Sequence, residues 1–415
     1  MKLTAYLFLM MASAFSASCS KSDNPTKTQE LIVLDPVAIS KTNTMKVFVH
    51  YMVWFENKQT SSDGKWGWHW TMSNENPDIV DSNGKRQIAS FFYPSIGPYA
   101  SGDKNVIEYH LLLMKYAGID GVIMDWYGAQ DVNDYAGIRR NTEAVVNMIG
   151  KTGLQFSVCY EDQTLNAVVQ QNKAGSAAAG AQDDMAYLST NFFSKKEFIK
   201  INNTPLLLVF GPQVLKDADS WTQAFSGLST KPCFLTLWNQ SGGAGTNAKG
   251  EFAWVYMSNS ALDNFYTNRA SSLSTAMGSA YPGFKDFYAQ GGGGSSLGWT
   301  IDYNNGATFN TTLQKAKDAN MKYIQLVTWN DFGEGTMIEP TNEFGYSWLE
   351  SVKSFSGVSG YTNAFEYIRK QYDFRVKYKA NSSVQASLDK SFYYFVALKQ
   401  DKAVQVLDSI QNNVP

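Results

Sequence analysis

Eight short apolar runs along 415 residues, helix-like segments between them, and two polar loops far longer than ordinary connections predict a (β/α)8 TIM barrel. The runs are 47–55, 121–126, 155–160, 206–210, 233–238, 253–257, 276–281 and 323–329. Most are near-continuous Val, Ile, Leu and aromatic residues, as parallel strands buried on both faces require. Between the first two, Ile107, Leu111 and Met114 recur at helical spacing. Asp103 stands where an N-cap belongs and Gly118 where a helix stops. Further helical segments are expected over 132–149, 183–201, 214–225, 262–273 and 309–319. The fifth crossover, 240–250, is Gly-rich and is expected to lack a full helix. After Glu350, segments 363–372 and 384–407 read as amphipathic helices. The chain thus divides into a leader (1–18), a tether (19–44), a barrel (45–360) and C-terminal helices packed on it (361–415).

In a TIM barrel, the loops after the strands build the catalytic face. The first long loop, 56–102, carries Trp66, Trp68, His69 and Trp70; the second, 285–308, carries Gly291 to Gly294 and Trp299. Three Trp in five residues either pin the loop or wall a cleft. The glycine run reads as a flexible loop. It lacks the strand and helix that flank a phosphate cradle.

Lys and Arg number 35 against 37 Asp and Glu, and no basic run occurs, so nucleic acid is not an expected partner. The 11 Trp, 23 Tyr and 25 Phe serve either a large core or flat platforms for sugar rings. His50, His69 and His110 show no metal-ligand spacing, and no metal or cofactor is expected. His50 and His110 read as structural. Cys159 and Cys233 read as buried thiols on separate strands, with pairing the alternative in an exported protein.

Lys2, the apolar stretch 3–15 and the small residues Ser16, Ala17 and Ser18 before Cys19 read as a secretory signal. The ending resembles a bacterial lipobox, with Ser16 where Leu is usual and Cys19 as the lipidated residue. The expectation is an exported monomer anchored by lipid to the cell envelope at the outer membrane, on its periplasmic or surface face. No later run is long enough to span a bilayer.

The chemistry is carried by Thr328-Trp329-Asn330-Asp331-Phe332-Gly333-Glu334-Gly335-Thr336, at the exit of the eighth run. Two carboxylates three residues apart at a buried strand end are costly, and each raises the other's pKa. Such a pair suits an acid and a base acting on one sugar; the alternative is a polar turn capped by Asp331. Other strand ends offer Tyr51, Asp125 and Trp126, Glu161, Trp238, Tyr256 and Trp329, with Glu339 just beyond. Each is a candidate sugar contact. Glu161 has a structural alternative beside a helix cap at Asp162, and Glu339 one as loop surface.

The stretches Tyr93-Pro94-Ser95-Ile96-Gly97-Pro98-Tyr99 and Ile107-Glu108-Tyr109-His110, with 117–122, the Trp68-His69-Trp70 cluster and the motif at 329–340, resemble glycoside hydrolase family 99. That family holds endo-α-mannosidases and endo-α-mannanases on a (β/α)8 barrel. Asp331 stands where the family carries Glu, and Gly333 where it carries His. In both respects the chain is closer to family 71, the fungal-type α-1,3-glucanases. The resemblance implies an endo-acting hydrolase of α-linked polysaccharide, α-mannan-like by preference, with Glu334 as acid and Asp331 as base. An α-1,3-glucanase-like enzyme and a non-catalytic surface glycan-binding lipoprotein are the alternatives. Family 99 implies a base acting on the sugar 2-OH with retention, family 71 a base activating water with inversion. The shorter Asp331 side chain favours room for water.

Overall fold

The computed structural model describes residues 32–414. Its centre is a closed barrel of eight parallel strands: β1 (Lys46–Tyr51), β2 (Gly121–Trp126), β3 (Gln155–Tyr160), β4 (Thr204–Val209), β5 (Cys233–Leu237), β6 (Ala248–Phe252), β7 (Thr275–Ala280) and β8 (Tyr323–Leu326). Each strand pairs with the next, and β8 returns to β1 with Leu326 opposite Val49. A two-residue antiparallel ladder, Lys200–Ile201, abuts the start of β4.

Side chains along a strand point alternately to its two faces, and that period sorts the core into two clusters. Phe48, Ile123, Cys159, Leu208, Leu235 and Phe252 fill the barrel. Val49, Tyr51, Met124, Val158, Tyr160 and Val209 belong to the cluster under the helices. Burying each such side chain contributes about 1.5–3 kcal/mol. Cys159 and Cys233 are both buried and free.

Between β1 and β2, helix Lys104–Tyr116 starts where Asp103 accepts the Asn105 N–H at 2.7 Å. Gly118 follows it at φ +84°. Two expectations are corrected here. The sixth strand is Ala248–Phe252, not 253–257. Lys249 and Glu251 break its apolar pattern, while the later run leaves the sheet. Segment 384–407 is two helices, Ser382–Val396 and Gln400–Asn413, broken where Leu398 takes φ +57°.

The C-terminal helices pack on the barrel's helical layer. Buried Arg375 bonds both carboxylate oxygens of buried Glu108, at 3.1 and 3.0 Å, and Gln371 adds a bond at 2.7 Å. Residues 37–43, expected within a tether, instead form a strap across the barrel floor. Val37 N–H donates to Val396 O, Thr42 N–H to Gly357 O and Asn43 N–H to Ser356 O, at 3.0, 3.3 and 3.2 Å. Lys41 binds Asp120, just before β2. The expected leader and Cys19 lie outside the described residues. No described helix is long and apolar enough to cross a membrane.

Candidate active site

The stretch after β8 is folded back on itself. Thr328 N–H donates to Thr336 O at 2.8 Å, and the Thr328 hydroxyl receives the Asp331 N–H at 2.7 Å. Asn330 clamps the loop to the exit of β1: its carbonyl accepts the Met52 N–H at 2.8 Å and its amide donates to Met52 O at 2.9 Å. Gly335 turns the chain at φ +67°, where a Cβ would lie 2.6 Å from the Tyr303 hydroxyl. These contacts place Asp331 and Glu334 at the barrel mouth.

They share a pocket of about 220 Å³ with Asp125 and Glu161. The inner-face period of the strands extends into this pocket. Two residues beyond Phe48, Ile123, Cys159, Leu208 and Phe252 come His50, Asp125, Glu161, Phe210 and Trp254, all in its lining. A further step of two adds Met52, Tyr127 and Gln163, and Trp54 follows Met52. Trp54 stacks on His69 at 3.9 Å, and half-exposed Trp68 stands beside them. Tyr288, from the second long loop, donates its hydroxyl to Glu334 Oε1 at 3.0 Å.

Among the described residues no Lys or Arg lines the pocket, and burial keeps His50 and His69 neutral, both down to about 3. Four carboxyl groups therefore face one another without a cation. Burial raises Asp331 to about 6, opposed by the N–H groups of Glu334 and Gly333. The first of these reaches Asp331 Oδ1 at 2.9 Å. Burial, then the Asp331 charge, raises Glu334 to about 8; the Tyr288 hydroxyl opposes the shift. Burial and the Asp331 charge also raise Asp125 to about 8, and burial with the Asp125 charge pushes Glu161 well up. His50 Nδ1 and Trp54 Nε1 are buried without a hydrogen-bond partner.

Of the expected contacts, Trp68, His69, Asp125 and Glu161 line this pocket with Asp331 and Glu334. Others are corrected. Tyr51 and Trp126 sit at outward strand positions: Tyr51 bonds His110 Nδ1 at 3.0 Å, and Trp126 stacks on Tyr187. Trp70 is buried in the loop's own small core, its indole donating to Tyr99 O at 2.7 Å. Trp66 is held aside by Asp78 at 3.1 Å. Trp329 is fully buried against His110. Glu339 is fully buried too, accepting from Tyr99 at 2.6 Å and lying 3.2 Å from His110 Nε2. Trp238, Tyr256 and Trp299 lie elsewhere on the mouth. Within the glycine run, a Cβ on Gly291 would come within 2.4 Å of Met72 Sδ, whereas Gly294 has open space around it. His50, read as structural, lines the pocket. Tyr288 had no signal, because only the folded loop brings it to Glu334.

A (β/α)8 barrel with acidic side chains gathered at the strand exits has the architecture of a glycoside hydrolase. The model of the family described as glycosyl hydrolase family 99 matches residues 42–344. The chain belongs to that family. It is 22% identical over 331 residues to a glycoprotein endo-alpha-1,2-mannosidase-like protein of Danio rerio, covering 71% of this chain and 70% of that one. It is 32% identical over 136 residues to the glycoprotein endo-alpha-1,2-mannosidase of Rattus norvegicus, covering 28% of this chain and 29% of that one. The fold is similar to that of the GH99 endo-alpha-mannosidase from Bacteroides thetaiotaomicron: TM-score 0.56, 18% identity, covering 78% of this chain and 98% of that chain.

Proposed function

We propose that this chain is an endo-acting hydrolase of α-linked polysaccharide, α-mannan-like by preference, with Glu334 as general acid and Asp331 as base. One observation carries the assignment: two carboxyls share one buried pocket in unlike settings, Asp331 accepting the Glu334 N–H at 2.9 Å, which favours its ionised form, while the Asp331 charge and burial favour the protonated form of Glu334. At neutral pH Glu334 keeps the proton that a departing glycosidic oxygen needs. Asp331 is ionised and accepts the proton of the attacking group. Tyr288 occupies Oε1 of Glu334, which leaves Oε2 to carry the acid proton. Asp125 and Glu161, with protons retained among the acidic groups, both donate to and accept from sugar hydroxyls. Trp54, Trp68 and Trp254 offer apolar faces to the ring. The mannosidase names of the relatives support the α-mannan preference.

The test is hydrolysis of a panel of α-mannans and α-glucans. Glu334→Gln and Asp331→Asn are each expected to lose at least ~10²-fold in turnover. An activated aryl leaving group is expected to rescue Glu334→Gln in part and Asp331→Asn not at all. Near-normal activity in either variant on the polymer rejects the pair. Cleavage of α-1,3-glucan alone selects the glucanase reading, and binding without cleavage the glycan-binding one. We further propose that Cys19 carries a lipid that holds the protein at the cell envelope.

A further inference from the structure

Beside the carboxylate pocket, the barrel mouth holds a second cavity of about 350 Å³, at the exits of β5 and β6. Trp254 lines the first cavity and Tyr256 the second. Two residues of chain span at most ~7 Å, so the two cavities are neighbours. We infer that this cavity is a second sugar-binding subsite, which holds a neutral hexose unit of the same polysaccharide chain; the inference rests on the glycosidase reading.

The lining combines aromatic faces with amides, the pairing that a sugar's apolar face and hydroxyl edge require. Trp238 packs against Phe265, their rings 5.8 Å apart, and Tyr256 faces Trp299 at 6.0 Å. Asn239, Asn264 and Asn268 are exposed to the cavity. Asn268 donates to Asn264 Oδ1 at 2.5 Å, which leaves the Asn264 amide and the Asn268 carbonyl for hydroxyls.

The walls are set by an ion pair whose acidic partner is buried. Glu251 is fully buried on β6 and takes Arg269 at 2.9 and 2.6 Å. The same carboxylate accepts the N–H groups of Asn239 and Ser241, at 2.9 and 3.1 Å. It therefore ties the loop after β5 to the turn Phe265–Arg269, a π-helical turn of the kind that recurs at functional sites. Because Glu251 already meets the guanidinium charge, the cavity favours a neutral ligand over an anion.

Exposed apolar side chains continue the surface. Tyr256, Met257 and Leu297 are 49%, 52% and 51% exposed, and Trp68 at the first pocket is 43%. The second long loop bridges the two ends. Its Gly293 lies against the Trp68 ring, and its Trp299 reaches Tyr256. The carboxylate pocket and the second cavity are thus joined by one loop that contacts an aromatic ring at each.

The test compares kcat/KM on polymeric α-mannan with kcat/KM on a short aryl α-mannobioside. Tyr256→Ala and Asn264→Ala alter exposed side chains, so folding is not at stake. In each, the ratio of polymer to short-substrate efficiency is expected to fall about tenfold, the loss of one ring contact for Tyr256→Ala and of a hydroxyl hydrogen bond for Asn264→Ala. Placed in the Glu334→Gln background, both substitutions are expected to weaken binding of α-mannopentaose, read by tryptophan fluorescence, by about the same factor. Normal cleavage with the ratio and the pentaose affinity both within about twofold of the parent overturns the subsite and leaves the glycosidase reading intact. Absence of both cleavage and pentaose binding in the parent proteins overturns that reading, and this inference with it.

Discussion

Tyr288 and Glu334 lie 46 residues apart and on different loops, yet the phenol donates to the carboxyl at 3.0 Å. The loops are stitched together beside that contact. Lys285 N–H donates to Glu334 O at 2.9 Å and Phe287 N–H to Gly333 O at 2.8 Å. One loop thereby fixes both the position and the acidity of a side chain on another.

The activity is expected to follow a bell in pH. Its acid limb comes from the group raised to about 6 and its alkaline limb from those near 8. Tyr288→Phe removes a donor that stabilises the Glu334 anion. The alkaline limb of kcat/KM should therefore move up by about one pH unit. A limb that stays in place means that the phenol does not tune this acid.

The same raised carboxyl makes a stability prediction of opposite flavour. Glu334 holds its proton more tightly folded than unfolded. Its contribution to folding is present below the ordinary value of 4.5 and is lost as pH rises through about 8. Gln cannot ionise. Glu334→Gln should therefore melt roughly 2–5 °C above the parent at pH 8, with the gap closing near pH 4.5. Calorimetry at the two pH values reads this directly, and equal melting temperatures at pH 8 would contradict it.

Beneath the acidic pocket, Tyr99 joins buried Glu339 to Asn330, with bonds of 2.6 and 3.0 Å. Asn330 immediately precedes Asp331, so this phenol supports the loop without touching substrate. Tyr99→Phe is expected to lower the unfolding free energy by about 1–3 kcal/mol in guanidinium titrations. It should lower kcat while KM moves little. A stability loss with unchanged kcat would mark the network as packing alone.

Cys19→Ser should move the protein from the membrane to the soluble fraction with its circular dichroism unchanged. A lipid chain supplies the membrane affinity that the polar residues after it lack. A variant still sedimenting with membranes would reject lipid anchoring at this residue.

The barrel was legible because seven of the eight apolar runs overlap real strands. The sixth was displaced because Glu251, a buried charge, is paired with an arginine 18 residues further on. The acidic site was legible from Asp331 and Glu334, two carboxylates where a strand should end. Proximity to a strand end was a poorer guide than parity. Trp126 and Tyr51 sit one step out of phase with the inner face and turned to the helices, whereas His50 and Trp254 are in phase and reached the pocket. Counting in twos from Phe48 or Phe252 would have found them. Tyr288, delivered by tertiary folding, carried no such mark.

The strap at residues 37–43 has a directional consequence. It crosses the floor of the barrel, bonded to Ser356, Gly357 and Val396, and the acidic pocket opens at the opposite end. A chain held from its N-terminal side is thus held by its base. The mouth is thereby left clear, and a long glycan could thread across it without meeting the strap.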